Sequence, residues 1–161
     1  MLRIVLMLLG VTLLAGCRGE PANRLPESPD QLILYSIDGP SYWKHDYELT
    51  PEQAKGETLH GYPVLGKVEI TDPEQRRLVM AAIKDAIRKP KPPTTCFIPR
   101  HAIQWVKDGK TIDLIICFQC SQYREYRNDK PDYGGGVISG TTPSILDKTL
   151  NDAGIPLAAK E

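Results

Sequence analysis

The segment from residue 94 to 127 constrains the fold most, because its pattern is typical of a long β-hairpin with one apolar face. Asp108 and Gly109 are the residue types that a two-residue hairpin turn favours. If Lys107 lies opposite Lys110, one face of the hairpin carries Phe97, Ile103, Trp105, Ile112, Leu114, Ile116, Phe118 and Cys120. Such a face has to pack against another element, so the hairpin predicts a sheet covered by helices.

Two helices are predicted to supply that cover. Asp72 as the N-cap and Pro73 at the first helical position begin one of them. Its apolar residues recur at helical spacing, and they are Leu78, Val79, Ala82, Ile83, Ala86 and Ile87. Thr142 and Pro143 begin the other helix, which Gly154 ends.

Further strands are predicted at residues 32–37 and 62–70. Gly66 interrupts the second of them, and we expect a bulge or close packing there. A glycine triplet at 134–136 is expected to form a turn before a short strand at 137–139. Together these elements predict an α+β domain, with a small antiparallel sheet, a long hairpin at about 94–127 and two helices packed on one face.

The first sixteen residues have the pattern of a signal peptide. Arg3 precedes an apolar stretch, Ile4 to Leu14, which is too short for a permanent span of about twenty residues. The following residues, Leu14-Ala15-Gly16-Cys17, resemble the bacterial lipobox, in which the cysteine sulfur receives diacylglycerol. The resemblance implies an acylated, palmitate-bearing lipoprotein that sits on a membrane of the cell envelope and faces away from the cytoplasm.

The rest of the chain has the length of one domain. Within the 161 residues we assign 1–16 to the signal peptide, 17–30 to a lipidated tether and 31–161 to a single domain. Twenty basic and twenty acidic residues leave no net charge, and no basic cluster is interleaved with aromatic residues. Nucleic acid is therefore not an expected partner.

Three cysteines remain once Cys17 is lipidated, and an exported protein meets oxidising conditions. Pro99 cannot donate a hydrogen bond to a strand ladder, which suggests a bulge that brings Cys96 opposite Cys120. A Cys96–Cys120 disulfide closes a loop of about 25 residues and contributes roughly 3 kcal/mol in the chain-entropy model. This pairing leaves Cys117 free and requires no cofactor.

The alternative is a metal site formed by Cys96, His101, Cys117 and Cys120. Zinc prefers four such ligands in a tetrahedral arrangement, and structural zinc sites use the Cys-x₂-Cys spacing of Cys117 and Cys120. A zinc knuckle places this pair in a tight turn, whereas the residues here have the pattern of a strand. A cysteine paired with His101 as a nucleophile is the enzymatic form of the same alternative.

Three motifs occur together in the chain, at residues 59–66 (LHGYPVLG), 96–101 (CFIPRH) and 116–120 (ICFQC). With the tail at 153–157 they resemble a group of small exported bacterial proteins, often lipoproteins, that are common in planctomycete-like bacteria. The resemblance implies no activity. His45 and His60 are placed in loops with no evident partner.

We therefore expect a lipid-anchored envelope protein whose domain is a binding or structural module rather than an enzyme. The membrane is its expected partner through the N-terminal lipid, and a protein or small-molecule partner stays unspecified. The alternative is a zinc-binding or thiol-dependent enzyme centred on the cysteine and histidine cluster.

Overall fold

The structure, a computed structural model, describes residues 25–46, 48–90, 96–138 and 142–159. Its strands are β1 Gln31–Ile37, β2 Thr58–Leu59, β3 Tyr62–Glu69, β4 Ile87–Pro90, β5 His101–Lys107, β6 Lys110–Cys117, β7 Gln122–Arg127 and β8 Lys130–Ile138. Its helices are α1 Gly39–Lys44, α2 Pro73–Ala86 and α3 Thr142–Asp152, with a 3₁₀ turn at Gln53–Lys55. The strands form one antiparallel sheet in the order β2-β3-β1-β5-β6-β7-β8-β4. The predicted α+β fold is confirmed.

The helix-covered face of the sheet carries the larger apolar core. Asp72 caps α2 by accepting a hydrogen bond from the Gln75 amide at 2.7 Å, as the N-cap prediction required. Helices α2 and α3 pack side by side, and the core beneath them contains Leu32, Leu34, Val79, Ile83, Ile103, Trp105, Leu114, Ile116, Leu146 and Leu150. Burial of these side chains is the main stabilising contribution to this layer.

The register of the β5–β6 hairpin is the predicted one, with Lys107 opposite Lys110. The predicted length of the hairpin is wrong, because β6 ends at Cys117 and a turn at residues 118–121 leads into β7 as a third strand. Phe97 also differs from the prediction. It lies in the core on the opposite face of the sheet, because residues 96–100 precede β5 and do not continue its alternation.

The buried side of α2 is rotated from the predicted one. Leu78 is 46% exposed, whereas Met80 is 6% exposed and accepts a hydrogen bond from the Trp105 indole at 2.7 Å. The glycine triplet at 134–136 is part of β8 and not a turn, because β8 pairs with β7 through Gly136. The Tyr123 ring lies where a side chain at Gly136 would stand. The bulge predicted near Gly66 is present. Ser36 of β1 pairs with Gly66, whereas the next residue, Ile37, pairs with Val64, so the β1–β3 register shifts by one residue.

Cys17 and most of the predicted tether lie outside the described residues. Residues 25–30 of that tether contact the domain. Leu25 packs against the larger core, the carbonyl of Pro29 accepts a hydrogen bond from Arg76, and Asp30 pairs with Lys107 at 2.9 Å. Within the described part of the chain, no helix combines the length and the apolar character needed to cross a membrane.

Replacing Leu114 with Ala tests the assignment of the larger core. Leu114 is fully buried in the central strand β6, so we expect Leu114→Ala to lower the free energy of unfolding by about 2 to 5 kcal/mol. Leu78→Ala removes the same atoms from an exposed site and should change it by less than about 0.5 kcal/mol. Urea denaturation measures both, and equal effects would contradict the assignment.

Candidate functional site

The thiols of Cys96, Cys117 and Cys120 come together at one end of the sheet. The Cys96 and Cys120 sulfur atoms lie 3.0 Å apart, and the Cys120 amide donates to the Cys117 sulfur at 3.1 Å. Cys117 is buried, Cys120 is half-buried and Cys96 is exposed. The segment that carries Cys96 is held against α1, because the Gly39 amide donates to the carbonyl of Pro99 at 3.0 Å. A side chain at Gly39 would overlap Pro99, so only glycine fits here.

The sulfur atoms of Cys96 and Cys120 are in contact, but all three cysteines are thiols in this structure. A disulfide needs an S–S distance of about 2.05 Å, so the Cys96–Cys120 disulfide stays a prediction. Burial, together with the contact of its thiol with Cys117, raises the pKa of Cys120. This shift reduces the thiolate fraction and disfavours a role for Cys120 as an activated nucleophile.

His101 does not join the sulfur atoms, which corrects the predicted Cys96, His101, Cys117 and Cys120 arrangement. It lies opposite Ile116 in the β5–β6 ladder, so both side chains point to the helix-covered face, whereas Cys117 points to the other face. The His101 ring is 2% exposed and its Nε2 lies 2.7 Å from the Asp147 Oδ1 on α3. The structure therefore assembles three sulfur atoms without a histidine ligand.

A different polar cluster lies on the face of the sheet that α2 and α3 leave uncovered. Asp113 in β6 stands between Gln104 of β5 and Tyr126 of β7 in a row across the sheet. The alternation of β6 makes this placement unavoidable, because Ile112 and Leu114 on either side of Asp113 point to the helices. Asp113 is thereby fully buried, with an exposure of 0%.

His60 reaches Asp113 from the edge hairpin β2–β3. His60 and Gly61 form its two-residue turn, with φ of 49° and 87°, which fits a type I′ turn. The turn lies over the sheet, where the His60 Nε2 is 2.7 Å from the Asp113 Oδ2. The Tyr126 ring stacks on the imidazole with their centroids 3.7 Å apart, which fixes the orientation of the His60 ring.

Asp129 completes the cluster from the turn between β7 and β8. One ligand atom each of His60, Asp113 and Asp129 lie within 4.8 Å of one another. The side chains of His60 and Asp113 are only 7% and 0% exposed, whereas Asp129 faces solvent. The second oxygen of Asp113, Oδ1, is buried and has no hydrogen-bond partner among the residues that the structure describes. A buried carboxylate oxygen without a partner is costly, which makes it a functional candidate.

Tyr35 and Gln104 extend the polar surface beside Asp113. The Tyr35 hydroxyl donates to the Gln104 Oε1 at 3.3 Å. Burial, followed by the negative charges of Glu57 and Asp113, raises the pKa of Tyr35 to about 12. The Tyr35 phenol is therefore neutral at physiological pH and remains a hydrogen-bond donor.

The partner of His60 was not predicted from the sequence. The available signal was Asp113, a charged residue in the middle of the apolar strand Ile112 to Ile116. A charge at that position needs a partner, but only the curl of the sheet brings the β2–β3 turn over β6 and β7. His45 is exposed, as its predicted loop position suggested.

The raised pKa of Tyr35 predicts a loss of stability in alkali. The folded phenol keeps its proton above the ordinary pKa near 10. Its contribution to the free energy of unfolding is therefore complete below about pH 10 and is lost as the pH rises to about 12. We expect Tyr35→Phe to reduce the fall in the free energy of unfolding across this window. Urea unfolding at several pH values measures it, and equal slopes for both proteins would contradict the shift.

Comparison of the chain with protein-family models, curated proteins and solved structures finds no match. Function is therefore inferred from the chain's own residues and their geometry.

Proposed function

We propose that this protein is a lipid-anchored component of the bacterial cell envelope, whose domain binds a ligand at the cluster of His60, Asp113 and Asp129. The observation that carries the binding function is the buried Asp113 carboxylate with an oxygen that lacks a partner. The anchor is inferred from the lipobox-like residues ending in Cys17. The face of the sheet that carries the cluster would then be presented to the space outside the cytoplasm.

The cost of burying Asp113 supports a functional role. Removing a carboxylate from water costs several kcal/mol, which one hydrogen bond to His60 only partly offsets. The corresponding residues along the same face of β6 are Ile115 and Cys117, which pack without such a cost. A fold selected for stability alone would place an apolar side chain at this position.

One side of the cluster faces solvent. Asp129 is exposed, so a ligand would approach the buried pair from the side of the β7–β8 turn. The aromatic ring of Tyr126 and the hydroxyl of Tyr35 provide apolar and polar contacts beside it. Such a combination of apolar walls and a few fixed polar groups is typical of ligand-binding sites.

The Cys96–Cys120 disulfide belongs to the same proposal as a structural bond of an exported domain. The contact of the two sulfur atoms at 3.0 Å supports it, since oxidation needs only a small movement. The bond would fix the segment before β5 to the turn that follows β6. Cys117 would remain a buried thiol.

The second candidate function is zinc binding or thiol chemistry at the three cysteines. The convergence of Cys96, Cys117 and Cys120 favours it, because three thiolates are a common part of structural zinc sites. In this arrangement the fourth ligand would have to be a group other than His101, whose ring bonds Asp147 on the opposite face.

Mass spectrometry of protein extracted from membranes tests the anchor and the thiols together. After alkylation without reductant, we expect an N-terminal acylated Cys17 and one alkylated thiol per unfolded chain. Cys17→Ser should move the protein out of the membrane fraction. An unmodified Cys17 would contradict the anchor, and three alkylated thiols would exclude the disulfide and favour the second candidate.

A stability comparison tests whether His60 and Asp113 serve binding or folding. His60→Phe alone leaves the Asp113 carboxylate buried without its partner, and we expect a loss of about 3 to 5 kcal/mol in the free energy of unfolding. The double variant His60→Phe with Asp113→Leu replaces the pair by apolar groups. It should be as stable as the unchanged protein or more stable, by up to about 4 kcal/mol.

Urea denaturation of the two variants decides between the roles. A double variant as unstable as the single one would show that the pair holds the β2–β3 turn to the sheet, and would overturn the binding function.

A further inference from the structure

We propose that the ligand of the His60, Asp113 and Asp129 cluster is a divalent transition-metal ion of the Zn²⁺ type. The inference rests on the proposed binding function and narrows it to a chemical class of ligand. The three side chains supply one imidazole nitrogen and two carboxylates, and their ligand atoms lie within 4.8 Å of one another. The two carboxylates also carry the charge that a divalent cation would neutralise.

The unpartnered Asp113 Oδ1 is the independent observation that points to a cation. It belongs to a carboxylate that is 0% exposed and that contacts His60 only through its other oxygen. Buried charges are paired with other charges or coordinate metals. Among the described residues no cationic side chain is recorded within ion-pair distance of Asp113 apart from the His60 ring. A metal ion would supply the missing positive charge.

The geometry needs only a small adjustment to admit the ion. Two ligands at about 2.1 Å from a tetrahedral zinc ion lie roughly 3.4 Å apart. The His60 Nε2 and the Asp113 Oδ2 are 2.7 Å apart, so they must separate by less than about 1 Å. Asp129 stands at an exposed turn and can approach the ion without disturbing the core.

The ligand types favour zinc and its neighbours over Mg²⁺ and Ca²⁺. The latter ions prefer sites built entirely from oxygen, whereas imidazole suits Zn²⁺, Fe²⁺ and Ni²⁺. The stacked Tyr126 ring holds the imidazole in place, as outer contacts do in metal sites. Three protein ligands leave a fourth position open on the solvent side, where an anionic or neutral donor could bind the metal.

The second His–Asp pair of the chain provides an internal contrast. The His101 Nε2 and the Asp147 Oδ1 are also 2.7 Å apart. In the part of the chain that the structure describes, however, a third metal-ligating residue stands only at the His60 pair. Asp129 therefore distinguishes the His60–Asp113 pair from the His101–Asp147 pair, and it is the residue to substitute in a test of metal binding.

Calorimetric titration of the purified mature protein with Zn²⁺ tests the proposal. We expect one ion per chain for the unchanged protein and at least about a tenfold rise in Kd for Asp129→Asn. Asp108→Asn is the matched control, because Asp108 is also an exposed turn aspartate with a positive φ of 50°, close to the 62° of Asp129. Its Kd should equal that of the unchanged protein, and Mg²⁺ should not compete.

Substitution with Co²⁺ distinguishes this site from the cysteines. Nitrogen and oxygen ligands give only weak visible bands, whereas thiolate ligands add an intense sulfur-to-cobalt band in the near ultraviolet. The weak bands, lost in Asp129→Asn, support the proposal. The intense band, an unchanged Kd in Asp129→Asn or the absence of Zn²⁺ binding would each overturn it. None of these outcomes depends on the urea stability of the His60 and Asp113 variants. If the stability test supports the binding function but Zn²⁺ does not bind, the ligand of the cluster belongs to another chemical class.

Discussion

The register of the β5–β6 hairpin is the constraint on which the rest of the structure depends. The turn at Asp108 and Gly109, with φ of 50° and 71°, matches the twist of the two strands and places Lys107 opposite Lys110. Every second residue of β6 then faces α2 and α3. A shift by one residue would expose Leu114 and turn Asp113 into the larger core, so the apolar pattern excludes it.

The same register gives the two faces of the sheet different chemistry. One face is apolar and covered by two long helices. Its buried polar groups include His101, which bonds Asp147 of α3, and Glu125, which lies opposite Leu114 and pairs with Arg127. The other face is covered by the short helix α1 and by the β2–β3 hairpin. Its two clusters stand at Asp113 and Cys117, four residues apart on β6, or about 13 Å along the strand.

The sequence allowed the fold class, the hairpin register and both helix starts to be predicted, because each depends on local chemistry. Asp72 with Pro73 fixes the beginning of α2 through groups adjacent in the chain, and Asp108 with Gly109 fixes a turn in the same way. The approach of Cys96 to Cys120 was also predicted, although the two residues lie in the segments just beyond the paired strands rather than in the ladder itself.

The candidate site was not predictable in this way, because it depends on how the whole sheet curls. His60 and Asp113 are 53 residues apart in sequence, and β6, which carries Asp113, is not a neighbour of β2 or β3, whose turn carries His60. The placement of His101 among the cysteine ligands failed for a different reason. The predicted register already placed His101 opposite Ile116, and so on the face opposite Cys117, but the ligand set was chosen by residue type and spacing without applying that alternation. Only Asp113, a charge within an apolar strand, signalled a site at all.

The central claim is that Asp113 is kept buried in order to hold a cation together with His60 and Asp129. Crystals of the protein grown with Zn²⁺, measured at wavelengths on both sides of the zinc absorption edge, test it most directly. The account predicts one anomalous peak at about 2.0 to 2.2 Å from the His60 Nε2 and from an oxygen of Asp113 and of Asp129. A peak among the sulfur atoms of Cys96, Cys117 and Cys120, or no peak near Asp113, would contradict it.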